Sequence, residues 1–114
     1  MSLSEFEIKR IEKIFADFCG RKNPVYLNSQ IKMEYQIRAD EVTLFESRPV
    51  WDDHAMWISG KVARFSKDRE TGGWFLYQAG HDGKWRHYEP LPFHRQIEKL
   101  LAEVEKNETG AFCG

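Results

Sequence analysis

With 114 residues, 41% of them apolar and 14% aromatic, the chain has the length and apolar content of one globular domain, and it needs neither disulfide nor metal to close a core. Seventeen basic against eighteen acidic side chains, with a pI near 6.4, exclude a global field that would draw in nucleic acid or an anionic membrane. Attraction of that kind must be local, and the charge is uneven: residues 31–60 carry three basic and six acidic groups, residues 61–88 six basic and three acidic.

Ser4 followed by Glu7 is a capping box, and Leu3 and Ile8 stand where a hydrophobic staple would hold the entry to a helix. Ile8, Ile11, Phe15 and Phe18 recur at three- and four-residue steps, with Ile14 and Cys19 widening the stripe and Gly20 as the stop signal. Residues 31–37 then alternate strictly between apolar and polar and predict a half-buried strand. Ala39-Asp40 is the turn, and residues 42–46 return as the second strand until Arg48-Pro49 interrupts the pairing.

Pro49, Asp52-Asp53 and Gly60 punctuate residues 49–60, which are expected to form an ordered loop anchored by Trp51 and Trp57. Strands are expected at 61–66, 74–78 and 84–88, the last two joined by His81-Asp82-Gly83, whose Asp-Gly pair signals a two-residue hairpin. After Pro90 and Pro92, a second helical stripe runs through Phe93, Ile97, Leu100, Leu101 and Val104. The predicted architecture is α+β: an N-terminal helix, a five-stranded antiparallel meander, and a C-terminal helix packed on the sheet, all in one domain spanning 1–114.

Arg48-Pro49-x-Trp51-Asp52, Trp74-x-Leu76-Tyr77, Lys84-Trp85-x-x-Tyr88-Glu89-Pro90 and the closing Ala111-Phe112-Cys113-Gly114 together resemble the bacterial family catalogued as domain of unknown function 3024. The resemblance covers nearly the whole chain, although Cys113 stands where it leads one to expect Trp. It implies a one-domain bacterial protein and brings no catalytic or binding residues with it.

The chain holds no CxxC, HExxH, GxSxG or Walker glycine loop, and Ser29-x-x-Lys32 falls at a strand start rather than on the helical turn such a pair needs. Asp52-Asp53-His54 is the one compact set of oxygen and imidazole groups, but adjacent residues rarely converge on one ion, and an Asp here reads better as a cap. His81, His87 and His94 are scattered, and the bland reading of each is a solvated or core-satisfied ring. Asn107-Glu108-Thr109 matches a glycosylation sequon, a spacing common by chance.

The anomaly is aromatic: Trp51, Trp57, Trp74 and Trp85, with Tyr77 and Tyr88, exceed what a core this size usually needs. Trp on a strand is nonetheless more often core than site. Strand alternation puts Trp85 and His87 on one face and Arg86 and Tyr88 on the other, within the locally basic segment. The residues expected to bind are Arg48, Trp51, Trp57, Arg64, Trp85, Arg86, His87 and Tyr88, on one sheet face and the Trp51–Trp57 loop.

A binding or interaction domain therefore heads the ranking, with no cofactor or metal expected. Its partner would be a protein or an identical subunit, with single-stranded nucleic acid the next choice. The alternative is a small metal-assisted hydrolase or nucleic-acid-processing enzyme using Asp52, Asp53, His87 or Glu89, which requires those groups to converge. Two cysteines are too few for a disulfide framework, and no apolar run approaches the roughly 18 residues of a membrane span. The N-terminus opens into an amphipathic helix rather than a signal peptide, so a cytoplasmic location without a membrane partner is expected.

Overall fold

The computed structural model describes residues 3–22, 32–50, 53–80 and 82–106; at 21, 22, 32, 48–50 and 53–59 the description is of the backbone alone. Helix α1 (Glu5–Lys22) is followed by strands β1 (Lys32–Arg38), β2 (Glu41–Val50), β3 (Asp53–Lys67), β4 (Trp74–Ala79), β5 (Trp85–His87) and β6 (Phe93–His94), and then by helix α2 (Ile97–Lys106). The sheet is antiparallel in the order β1-β2-β3-β4-β5, with β6 also on β4, so the predicted α+β meander stands and gains a sixth strand.

The capping box forms: the Glu7 amide donates to Ser4 Oγ at 3.2 Å, and the Ser4 amide to Glu7 Oε1 at 3.4 Å. Leu3 is buried and Ile8 packs on the core, so the staple forms as well. Glu7 Oε2 lies 2.6 Å from Lys67 Nζ, tying the first turn of α1 to the end of β3. Further along α1, the Phe15 ring meets Phe65 edge-on at 5.2 Å and Tyr35 at 5.7 Å. Cys19 is buried with this stripe, and burial, with the Glu34 charge adding to it, pushes its thiol up to about 11. It is a small apolar filler, protonated and inert at neutral pH.

Both helices lie on one face of the sheet. The β1–β2 register sets Tyr35 opposite Leu44 and Ile37 opposite Val42; β2–β3 sets Val42 opposite Phe65, and β3–β4 sets Phe65 opposite Leu76. These residues form the floor of the core, to which α1 adds Ile11, Phe15 and Phe18 and α2 adds Ile97, Leu100, Leu101 and Val104. The helices flank a cleft of about 280 Å³ lined by Ile14, Asp17, Glu98, Leu101, Ala102 and Glu105, and Arg10 pairs with Glu98 across it. None of the described helices is long and apolar enough to cross a membrane.

Three local expectations need correction. Residues 49–60 are not a loop: β2 continues to Val50 and β3 starts at Asp53, with Arg48 opposite Ile58 and Pro49 opposite Trp57. Among the described residues Pro49 pairs only with Trp57 of β3, a place where a residue without an N–H can sit in a strand if its other side makes no ladder bond. Phe93 belongs to β6 rather than to the helical stripe, and α2 starts at Ile97.

The β4–β5 connection, finally, has three residues rather than two. The Gly80 amide donates to the Lys84 carbonyl at 2.8 Å, and Gly83 takes φ +79, the left-handed position such a loop requires. Strands β5 and β6 run in the same direction along one edge of β4. The Tyr88 amide donates to Leu76 O and the Leu76 amide to Pro92 O, both at 2.9 Å, so residues 89–92 are an excursion that breaks one longer strand in two.

Candidate functional site: the open sheet face

Side chains alternate along a strand, so the face away from the helices takes the residues between the core positions. On β3–β6 these are Arg64 and Ser66, then Phe75, Tyr77 and Ala79, then Trp85 and His87, then Phe93. The register shift between Leu44 and Phe45 places both Val62 and Ala63 in the core and brings Lys61 to this same open face, opposite Phe45. Among the described residues no helix covers it.

The aromatic groups there form one connected strip. Tyr77 and His87 sit opposite each other on neighbouring strands, with ring centroids 4.6 Å apart and planes tilted by 34°. Phe75 continues the strip, 5.9 Å from His87 and 5.2 Å from Phe93. At the other end Trp85 faces Ala79 across the β4–β5 pair, and that small side chain lets the indole extend over β4 towards β3. There it meets Arg64, whose guanidinium carbon is 4.7 Å from the ring centroid, and Lys61, whose ammonium is 5.5 Å away.

The two cations are held by further contacts. Lys61 Nζ donates to the Gly83 carbonyl at 2.8 Å. Arg64 Nε donates to Thr43 Oγ1 at 3.4 Å, and its guanidinium is 3.7 Å from Glu41. On β1 and β2 this face carries Glu34, Arg38 and Glu41, with Arg38 opposite Glu41, while its aromatic groups lie towards β4–β6.

Of the residues expected to bind, Arg64, Trp85 and His87 come together here. Trp85 is half-buried and His87 exposed. Arg86 points to the helix side, where it is exposed beyond the core and pairs with Asp82 at 2.9 Å. Tyr88 lies on that side too and is not a surface group: it is fully buried, with its hydroxyl donating to Glu103 Oε1 of α2 at 3.2 Å. Alternation foresaw the division between these two pairs of residues but not which face the helices cover. Trp74 is likewise core, its ring under Lys67 Nζ at 5.1 Å. Trp51 lies outside the described residues, as do the side chains of Arg48 and Trp57.

Lys61, Phe75, Tyr77 and Phe93 complete the strip without having been singled out as binding residues. Period-two alternation pairs Phe75 with Tyr77, but only the register across three strands joins them to Trp85 and His87.

Asp53 opens β3, whereas His87 reaches β3 through Tyr77 at the level of Arg64. At about 3.3 Å per strand residue, Asp53 and Arg64 are roughly 30 Å apart, so Asp53 does not share a ligand shell with His87. Glu89 is an exposed turn residue, and Asp52 lies outside the described residues. Among the described residues, no three His, Cys, Asp or Glu side chains gather as a metal cage.

A family model described as Domain of unknown function (DUF3024) matches residues 3–114. No curated protein and no solved structure matches the chain.

Proposed function

Because the chain belongs to that family, whose description assigns no activity, we propose a function from the open sheet face itself: a small cytoplasmic binding domain that engages its partner through Lys61, Arg64, Tyr77, Trp85 and His87. One observation carries the reading. Trp85 spans the sheet surface between two cations on the face that the helices leave uncovered, although a core with Trp74 and Tyr88 already inside it has no need of another large ring there.

Rings backed by strands lose little entropy when a partner packs on them, and Trp, Tyr and Arg are the side chains that most often dominate such contacts. The contacts of Lys61 with Gly83 and of Arg64 with Thr43 hold these cations in place before any partner arrives. A cytoplasmic setting is supported by the free, buried Cys19.

The test is a folded Trp85→Ala/His87→Ala variant compared with the parent chain by chemical cross-linking in extracts of the producing cells and by sedimentation velocity. The variant is expected to lose cross-linked species or self-association. An unchanged cross-link pattern together with an unchanged mass would sink the reading.

A further inference from the structure

Resting on that reading, we propose that the partner of the open face is single-stranded nucleic acid, with bases stacked on Trp85 and His87 and phosphates held by Lys61 and Arg64. Three observations lead there. The groups offered are planar rings in a connected strip, Trp85 apart: Tyr77–His87 at 4.6 Å, Phe75–His87 at 5.9 Å and Phe75–Phe93 at 5.2 Å. Planar rings suit a ligand that is itself planar, and stacking on them tolerates any base sequence.

Trp85 and His87 are also two positions apart on one strand, about 7 Å along it, and share one face. Neighbouring bases of an extended strand can therefore address both rings. Base faces inside a duplex are hidden, so the inference selects single strands.

Charge complementarity is the third observation. Lys61 and Arg64 lie against the Trp85 ring. Of the carboxylates of this face, Glu34 lies out on β1, and Glu41 on β2 is shared between Arg64, 3.7 Å away, and Arg38 opposite it, while Asp82 is paired with Arg86. An anionic backbone running beside the ring strip meets Lys61 and Arg64 at the Trp85 end. The near-neutral net charge predicts weak binding confined to low salt, in contrast to that of a strongly basic protein.

The experiment is fluorescence anisotropy with labelled oligothymidylate and oligouridylate of about twelve nucleotides, enough to cover a site of this class, with a duplex of equal length alongside. Saturable binding of the single strands in preference to the duplex is expected, with a log–log salt slope near −1.4 for two phosphate contacts at about −0.7 each. Trp85→Ala should weaken binding about thirtyfold, the middle of the range for losing one stacked base, and Trp85→Phe should restore most of it. If Trp85→Ala fails to fold by circular dichroism, Lys61→Ala carries the test by lowering the slope by about 0.7.

No anisotropy change at low salt, equal binding of the duplex, or wild-type affinity in folded Trp85→Ala overturns the inference. If the oligonucleotides fail while Trp85→Ala/His87→Ala still alters cross-linking or mass, the partner is a protein and the binding face stands. If both experiments show nothing, the binding face falls too.

Discussion

Ala39 is the one described non-glycine residue with positive φ, at +51, in the two-residue turn that joins β1 to β2. That region crowds a Cβ against the backbone, costing about 1 kcal/mol or more per residue, and only Gly escapes the penalty. Ala39→Gly is therefore expected to stabilise the fold by about 0.5 kcal/mol net, since the added freedom of the unfolded chain offsets part of the relief. Urea denaturation with an unchanged m-value would show it as a raised midpoint. Gly73 carries the opposite constraint: a Cβ built there would lie 2.4 Å from Phe93 Cζ and 3.1 Å from the His94 carbonyl, so the approach of β6 to β4 depends on its bare Cα.

At the scale of elements, α1 is held to the sheet by its first turn as much as by its apolar stripe. The Glu7 carboxyl is held below its ordinary value of 4.5, first by the hydrogen bond from Lys67, with Ser4 assisting and burial opposing. A lowered carboxyl pKa means the contact contributes fully above that unfolded value and is lost as pH falls through the lower folded value. Glu7→Gln should therefore be less stable than the parent near neutrality and lose less stability on acidification below pH 4.5. Denaturant midpoints at about pH 7 and about pH 3 test this, and parallel losses in both proteins would refute it. Both partners are partly exposed, so the effect is small and shrinks with salt.

At the scale of the molecule, β3 spans Asp53–Lys67, yet among the described residues only Ala63–Lys67 pair with β4. From Asp53 to Gly60 the described pairing is to β2 alone, so among the described residues this part of the hairpin is two-stranded where the rest of the sheet is wider. Two strands by themselves are marginal in water. Native-state hydrogen exchange should show the amides of residues 54–60 opening at lower free energy than those of Ala63–Phe65, which pair on both sides. Equal protection of the two halves of β3 would mean that the outer half is held by a partner, such as a second copy of the chain.

Much was legible in local chemistry. The Ser4–Glu7 box, the α1 and α2 stripes, the β1 alternation and the Gly83 turn are set by interactions within a few residues, and a periodicity read off the chain captures them. The α+β class and the meander followed from the same signals, and the family from the resemblance of the Trp-centred motifs. The fate of residues 49–60 did not, because Pro49, Asp53 and Gly60 look like breakers locally and only the cross-strand register, Arg48 opposite Ile58 and Pro49 opposite Trp57, shows them paired.

Nor could the chain alone say which face the helices cover. Side chains alternate on a strand whichever side is buried, so Trp85 with His87 and Arg86 with Tyr88 were equivalent until α1 and α2 settled on one side. Helix packing sent Tyr88 and Trp74 into the core, and cross-strand register then joined Trp85 to Lys61 and Arg64, and Tyr77 to His87, on the face left open.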